Sequence, residues 1–348
     1  MNIFAVLSEQ DAVVITSPAN LFYISGIANA DAIIILMKDR NYYITSPLYE
    51  VEVRQNLPSE FEPLIIRGES RVSAVRRLLG DLSKVGIEGG SMDVDTYFGL
   101  FDKKDCRIVD ISDRFLSQRT IKAPYELERI KVAESIVEYA FSKTVDALHE
   151  GITEKEVRYL LQDEMFRQGA DGLAFDTIVA FGENAAKPHA VPSDRALRKG
   201  DCIVMDFGAK YKGYCSDFTR TLYCGTPSDR FLEAYACVLK AHKDAIDYVD
   251  RGGIKASEAD AVARKVIEDS CFSGLFNHSL GHGVGVEIHE APYLKPNSMD
   301  MLLDNEVFTI EPGLYSEGEF GIRIESLVAL ENGKLTVIDR SSKEIITV

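Results

Sequence analysis

Apolar and polar positions change period along the chain, and the changes divide it. The runs "AVVI" (12–15), "AIIILM" (32–37), "NYYIT" (41–45) and "PLII" (63–66) are short and rich in β-branched or aromatic residues, which predicts strands. "ESRVSAVRRLLGDL" (69–82) carries apolar residues at helical spacing behind a capping position, and "VGIE" (85–88) and "CRIVD" (106–110) add two further strands. Together they predict a small α/β domain over residues 1–118.

A different pattern begins at "RTIKAPYELERI". Pro124 stands at a helix start, with Glu126 and Glu128 where acids favour the positive end of the helix dipole. Ile130, Val132, Ala133, Ile136, Val137, Ala140 and Phe141 then mark one face of a long amphipathic helix that stops at Gly151. A second helix, with Thr153 and Glu156 in capping-box positions, runs to about Gln168, and a strand-rich stretch ending in 201–225 follows. The order then recurs: helices over about 228–250 and 256–270, then strands ending in 305–330. Helix, helix, strands, twice over, predicts an internally duplicated α+β domain over residues 119–348.

Composition narrows the function without changing this picture. The 348 residues are 46% hydrophobic and 27% charged, ordinary for a soluble globular protein. No apolar run approaches the ~20 residues of a membrane span, and the N-terminal segment lacks a secretion signal, so a cytoplasmic location is expected. Six cysteines without a CxxC pair read as reduced thiols. A net charge of −16 argues against nucleic acid as a partner, since phosphate contacts need clustered Lys and Arg.

The candidate chemistry lies in the strand-rich stretches. Asp206 and Asp217 flank the turn "KYKGY", and a hairpin centred between Tyr211 and Lys212 would set them directly opposite each other. Glu311 and Glu325 flank "SEGEFG", and a turn centred on Gly318 would oppose them in the same way. Each carboxylate alone reads as a solvated surface group. Two opposed pairs inside apolar strands repel unless a cation lies between them, so together they predict a metal site. Carboxylates with one imidazole suit Mn²⁺, Co²⁺, Fe²⁺ or Zn²⁺, and bridging carboxylates could hold two ions. "NHSLGHGVGVEIHE" (277–290) supplies His278, His282 and His289, of which His282 is the best candidate because glycines on both sides permit close backbone approach. "HEAPY" lacks the second histidine of a zinc-protease helix, and "GHGVGV" fails the dinucleotide fingerprint at Val286.

With "PHAVPSDRALRKGDCIVMDFGAKYKGYCSDFTRT", "HSLGHGVGVEIHEAPYL", "TIEPGLY" and "GIRIES" in that order, the chain closely resembles the pita-bread metallopeptidases (creatinase, aminopeptidase P, methionine aminopeptidase, prolidase). "SPANLFYISG" and "RTIKAPYELERI" are similar to the N-terminal domain and linker helix of the proline-specific members. The resemblance implies a pita-bread catalytic domain with pseudo-twofold duplication, preceded by a creatinase-like N-terminal domain. Asp206 would chelate one metal, Asp217 and Glu325 would bridge both, and His282 and Glu311 would bind the second. Two divalent ions are implied, Mn²⁺ or Co²⁺ first, Zn²⁺ or Fe²⁺ as alternatives. His278 and His289 would support the ligands or touch substrate, His189 would face the substrate, and Tyr315 would lie near the site. Arg323 shares the face of Glu325 and would lie opposite Gly313, which leaves it room. Ser326 stands where the family commonly has Asp; strand alternation points it away from Glu325.

The implied activity is hydrolysis of Xaa-Pro bonds by a dinuclear metallo-exopeptidase, most like Xaa-Pro dipeptidase (prolidase). A hydroxide bridging the metals would attack the scissile carbonyl, Glu311 would pass a proton to the leaving nitrogen, and His189 and His289 would steady the oxyanion or substrate. Aminopeptidase P, acting on longer peptides, is the alternative. A non-catalytic peptide-binding module would be expected to have lost carboxylates. A homodimer is expected, with the N-terminal domain of one subunit helping to close the pocket of the other. "NLFYISG" (20–26), taken as a strand, would point Phe22 and Tyr23 to opposite faces and leave one ring for that contact.

Overall fold

Val13, Ile15, Ile34 and Leu36 pack into one apolar cluster, while their neighbours Ala12, Val14, Ile33 and Ile35 pack into another. Successive residues of one strand thus feed two cores, as they must when both faces of a sheet are covered. In the computed structural model, which describes residues 6, 7 and 9–348, β1 (Ala12–Ile15) and β2 (Ile33–Met37) are the central members of a six-stranded sheet. β3 (Asn41–Thr45), β4 (Phe61–Ile65), β5 (Lys84–Ile87) and β6 (Arg107–Asp110) complete it, in the order β4-β3-β2-β1-β5-β6. This sheet belongs to the first of two compact units, which ends at Arg119; the second runs Thr120–Val348.

Residues 20–26 do not form the strand expected of them. Pro18–Ser25 is a helix, α1, whose Ser17 cap accepts a hydrogen bond from the Asn20 amide, with Pro18 in the first turn and Gly26 leaving at φ +71°. The serine–proline start outweighs the β propensity of the aromatic pair, because proline's fixed φ suits the first helical turn. Phe22 and Tyr23 lie side by side on a helix, so the opposite-face argument does not apply; Tyr23 Oη donates to the Gln118 carbonyl at 2.9 Å.

In the second unit α2 (Pro124–Ala147) and α3 (Glu154–Arg167) precede β7 (Gly172–Leu173), β8 (Ile178–Phe181), β9 (Cys202–Phe207), β10 (Ala209–Tyr211), β11 (Tyr214–Cys215) and β12 (Phe218–Tyr223). The first helix ends at Ala147, short of the expected Gly151, because Leu148 turns to extended backbone; Gly151, at φ +95°, lies in the connection beyond. The second starts on the Thr153–Glu156 capping box. Then α4 (Asp229–Val249) and α5 (Ala256–Glu268) precede β13 (Gly281–Gly283), β14 (Glu290–Leu294), β15 (Val307–Ile310), β16 (Gly313–Ser316), β17 (Phe320–Arg323), β18 (Ser326–Glu331), β19 (Lys334–Val337) and β20 (Ile346–Thr347). Ile136, Val137 and Ala140 of α2 share a core with Ile203 and Met205 of β9, while Ala234, Val238 and Ala241 of α4 share one with Ile310 and Val328. Each helix pair is therefore buried against strands, the second pair also sharing its core with Ile178, Cys202 and Val204 of β8 and β9, at about 1.5–3 kcal/mol per large aliphatic side chain. This is the duplicated α+β architecture expected from the sequence, preceded along the chain by an α/β unit. No helix among the described residues is long and apolar enough to cross a membrane.

Candidate metal centre

Two hairpins and one short strand deliver the candidate ligands. The first turns at Lys212 and Gly213, with φ +47° and +81°, so Tyr211 pairs with Tyr214 and Lys210 with Cys215. Positive φ at both central residues is the two-residue turn that suits strand twist, and Gly213 makes it accessible. The consequence corrects the expected register. Asp206 pairs with Thr219, not with Asp217, which stands two residues further toward the turn. A two-residue shift preserves the face, so the aspartates are diagonal neighbours.

The second hairpin follows the expected register. Ile310 pairs with Ser326 and Gly313 with Arg323, so the common register sets Glu311 opposite Glu325. Gly318 takes φ +73° in the turn.

His282 is the middle residue of β13, which is squeezed between β14 and β15. A Cβ on Gly281 would lie 2.0 Å from the Thr309 carbonyl oxygen, and one on Gly283 would lie 2.1 Å from that of Ala291. Only glycine admits this approach. The His282 amide donates to Thr309 Oγ1 at 3.1 Å, and that hydroxyl donates to Glu311 Oε1 at 3.1 Å. His282 Nδ1 lies 3.2 Å from its neighbour's carbonyl, Gly283 O, which leaves Nε2 to the carboxylates.

Carboxylate oxygens of Asp206, Asp217 and Glu325 all lie within 4.8 Å of one another. His282 Nε2 extends the cluster, 3.5 Å from Asp217 Oδ2 and 3.3 Å from Glu311 Oε1. Burial raises the carboxyls of Asp217 and Glu325 well above the usual range, and the neighbouring acids push both further up. Burial also raises Asp206, against the pull of Arg323. Glu311 behaves differently: burial would raise it, but the hydrogen bond and charge of His282, with His278 and Arg323, hold it down at about 2. Among the described residues neither oxygen of Glu325 has a partner of hydrogen-bonding geometry, although the residue is 1% exposed. Orphaned buried oxygens beside two aspartates are what a divalent cation satisfies, so the donor set fits metal binding.

The supporting residues are brought to the same place. Arg323 donates to Tyr315 Oη at 2.7 Å and to Thr219 Oγ1 at 3.2 Å, and pairs with Asp206. His278 Nε2 lies 3.0 Å from Tyr315 Oη, and its ring is held by Nδ1 against Ser279 O at 2.8 Å. Burial depresses the His278 imidazole below its ordinary value. The His289 ring lies 4.3 Å from that of His282, centroid to centroid. His189 and His289 line, with His278, a cavity of about 640 Å³ that reaches Asp206, Asp217 and Glu311. Both are exposed.

Several residues escape a reading of motifs. Ser326 does point away from Glu325, and its hydroxyl meets His242 Nε2 at 3.1 Å. Burial, aided by Lys343, drives that imidazole down to about 3, so it stays neutral. Glu134 is 1% exposed with no hydrogen-bond partner for either oxygen among the described residues; burial, Asp339, Glu138 and Glu325 raise its carboxyl well above the ordinary range. One signal was available for both: each interrupts the apolar face of an amphipathic helix, Glu134 beside Ala133 and Val137, His242 beside Ala241 and Ala245. Phe175, Ile288 and Tyr293 line the cavity with no sequence signal beyond their hydrophobicity.

Comparison with known proteins accords with this geometry. The sequence pattern of metallopeptidase family M24 matches residues 128–332, and that of the creatinase/prolidase N-terminal domain matches residues 8–121. The Xaa-Pro dipeptidase of Pyrococcus furiosus is 35% identical over 336 residues, 95% of this chain and 94% of its own length. A solved Xaa-Pro dipeptidase from Bacillus anthracis superposes with a TM-score of 0.95 at 31% identity, covering 99% of both chains. The X-Pro aminopeptidase of Thermotoga maritima does so at 0.89 and 35% identity, covering 97% of this chain and 98% of its own. Since the family pattern spans both carboxylate hairpins and the histidine strand between them, the chain belongs to metallopeptidase family M24.

Proposed function

We propose that the protein is a dinuclear metal-dependent exopeptidase that hydrolyses the Xaa-Pro bond of dipeptides. The observation that carries the metal requirement is the buried Asp206–Asp217–Glu325 cluster, with the orphaned oxygens of Glu325 and with His282 Nε2 beside Asp217 and Glu311. Asp206, Asp217, His282, Glu311 and Glu325 would hold two divalent ions, with Mn²⁺ or Co²⁺ preferred over Zn²⁺ or Fe²⁺. Bound ions supply an activated water at neutral pH and polarise a carbonyl.

The chain's own residues do the rest. Glu311 accepts a proton and can return it to the leaving nitrogen, which in proline carries no hydrogen before cleavage. His189 and His289 donate hydrogen bonds to the substrate carbonyl as charge develops on it. Arg323 fixes Asp206 and Tyr315, and Tyr315 in turn fixes His278. The dipeptide reading follows the Pyrococcus and Bacillus relatives. Removal of one residue from longer peptides is the second reading, favoured by the Thermotoga neighbour. The N-terminal domain would serve dimerisation, and the dimer would act in the cytoplasm.

The deciding experiment uses chelated and dialysed protein, reloaded separately with Mn²⁺, Co²⁺ or Zn²⁺. Ala-Pro should be cleaved faster than Ala-Pro-Ala, and only after reloading. Faster cleavage of the tripeptide would transfer the assignment to an aminopeptidase; no cleavage with any metal would end both readings.

A further inference from the structure

Arg158 and Arg323 both line the cavity, and their guanidinium groups are engaged very differently. Arg323 spends its donors on Asp206, Tyr315, Thr219 and Pro188 O. Arg158, on α3, has no ion pair or hydrogen bond among the described residues, and its Nε is buried without a partner there. Its guanidinium carbon stacks 4.8 Å from the centroid of the Tyr159 ring.

The helix offers no carboxylate to neutralise it. Glu154, one turn earlier, is committed to the Phe181 amide at 2.8 Å, to Asn184 and to Ser193. One turn later stands Gln162, whose Nε2 reaches Thr177 Oγ1 at 3.3 Å. Residues four apart share a helix face, so Arg158 and Gln162 present one polar edge to the cavity beside the Asp176–Ile178 wall. The acids of that cavity are Asp176, Asp206, Asp217 and Glu311. Asp206, Asp217 and Glu311 would hold the metal ions, which offset their charge. Arg158 is then the cavity arginine left to meet a carboxylate-bearing ligand, and its planar fork of donors matches one.

We infer that Arg158 forms a carboxylate-recognition subsite of the substrate pocket. This rests on the Xaa-Pro reading for the identity of the substrate. The carboxylate is either the C-terminal one of a dipeptide or the side chain of an acidic first residue; both present the same two oxygens. The subsite makes the pocket select charge as well as proline.

The test measures binding to metal-loaded protein by calorimetry, with analogues whose scissile carbonyl is reduced to methylene so that nothing turns over. One pair is the Ala-Pro analogue and its C-terminal amide; the other is the amides of the Glu-Pro and Gln-Pro analogues. The native protein should favour the charged member of one pair by about tenfold to a hundredfold, the range of a charge-assisted hydrogen bond. Arg158→Gln should abolish that preference and Arg158→Lys should restore part of it. Loss confined to the first pair assigns the C-terminal carboxylate; loss confined to the second assigns the acidic side chain. No charge preference in the native protein, or one that survives in Arg158→Gln, overturns the inference. Hydrolysis of Ala-Pro by the native protein, followed separately, shows whether the underlying function holds.

Discussion

At Asp217 a single atom separates the ionised ligand from a neutral isostere. Asp217→Asn removes one negative charge from a buried cluster, and a neutral amide is a weaker donor to a divalent cation than a carboxylate. If Asp217 is a metal ligand as proposed, the variant should fold, lose most of its metal by elemental analysis after dialysis, and lose roughly a hundredfold or more in kcat/KM. Native turnover with both metals retained would refute the assignment. His189 makes the opposite case, since it lines the cavity but does not adjoin the carboxylate cluster. His189→Ala should keep its full metal content and lose about 10²–10³-fold in kcat, the worth of one oxyanion donor. Loss of a metal equivalent in that variant would place His189 among the ligands.

Elements position these residues, and a close fit at β13 sets the histidine. Its backbone runs so near β15 that a Cβ on Gly281 would lie 2.0 Å from the Thr309 carbonyl oxygen, a distance no side chain tolerates. Gly281→Ala must push β13 away from Thr309 and take His282 with it. The expected cost is about 1–3 kcal/mol of overpacking or more, with weakened metal binding, read from the thermal midpoint and from metal content together. An unchanged midpoint with full occupancy would show that the strand yields without moving the histidine. The β9–β12 hairpin teaches a related lesson. Its ligands could be assigned to one face from sequence parity, but their diagonal offset depends on which two residues turn, and Gly213 decides that.

For the whole molecule, pH dependence should include a component remote from the metal chemistry. Glu306 is 2% exposed, and burial pushes its carboxyl up to about 7 against the opposing backbone hydrogen bond of Leu303 and charge of Lys122. Between the ordinary glutamate value and pH 7 the folded protein therefore holds a proton that the unfolded chain has released. The folded state binds more protons in that window, so stability falls as pH rises through it and levels off above. The step amounts to about 3 kcal/mol. Glu306→Gln should flatten the profile over pH 4.5–7 in denaturant unfolding compared with the native protein; parallel profiles would show that Glu306 is not its source.

Sequence alone determined the duplicated order of helices and strands, because amphipathic periodicity is local and each period prescribes one element. It also determined which carboxylates share a face, since strand parity is arithmetic, and which histidine could enter a crowded cluster, since Gly281 and Gly283 mark close approach. Pro18–Ser25 likewise owes its helix to the local Ser17–Pro18 start, which outweighed its aromatic residues. Tertiary structure decided the rest. Asp206 met Thr219 through the turn's choice of Gly213. Arg158, Glu134 and His242 gained their environments from residues distant in sequence, and burial, which fixes their charge, is a property of the packed chain rather than of any segment of it.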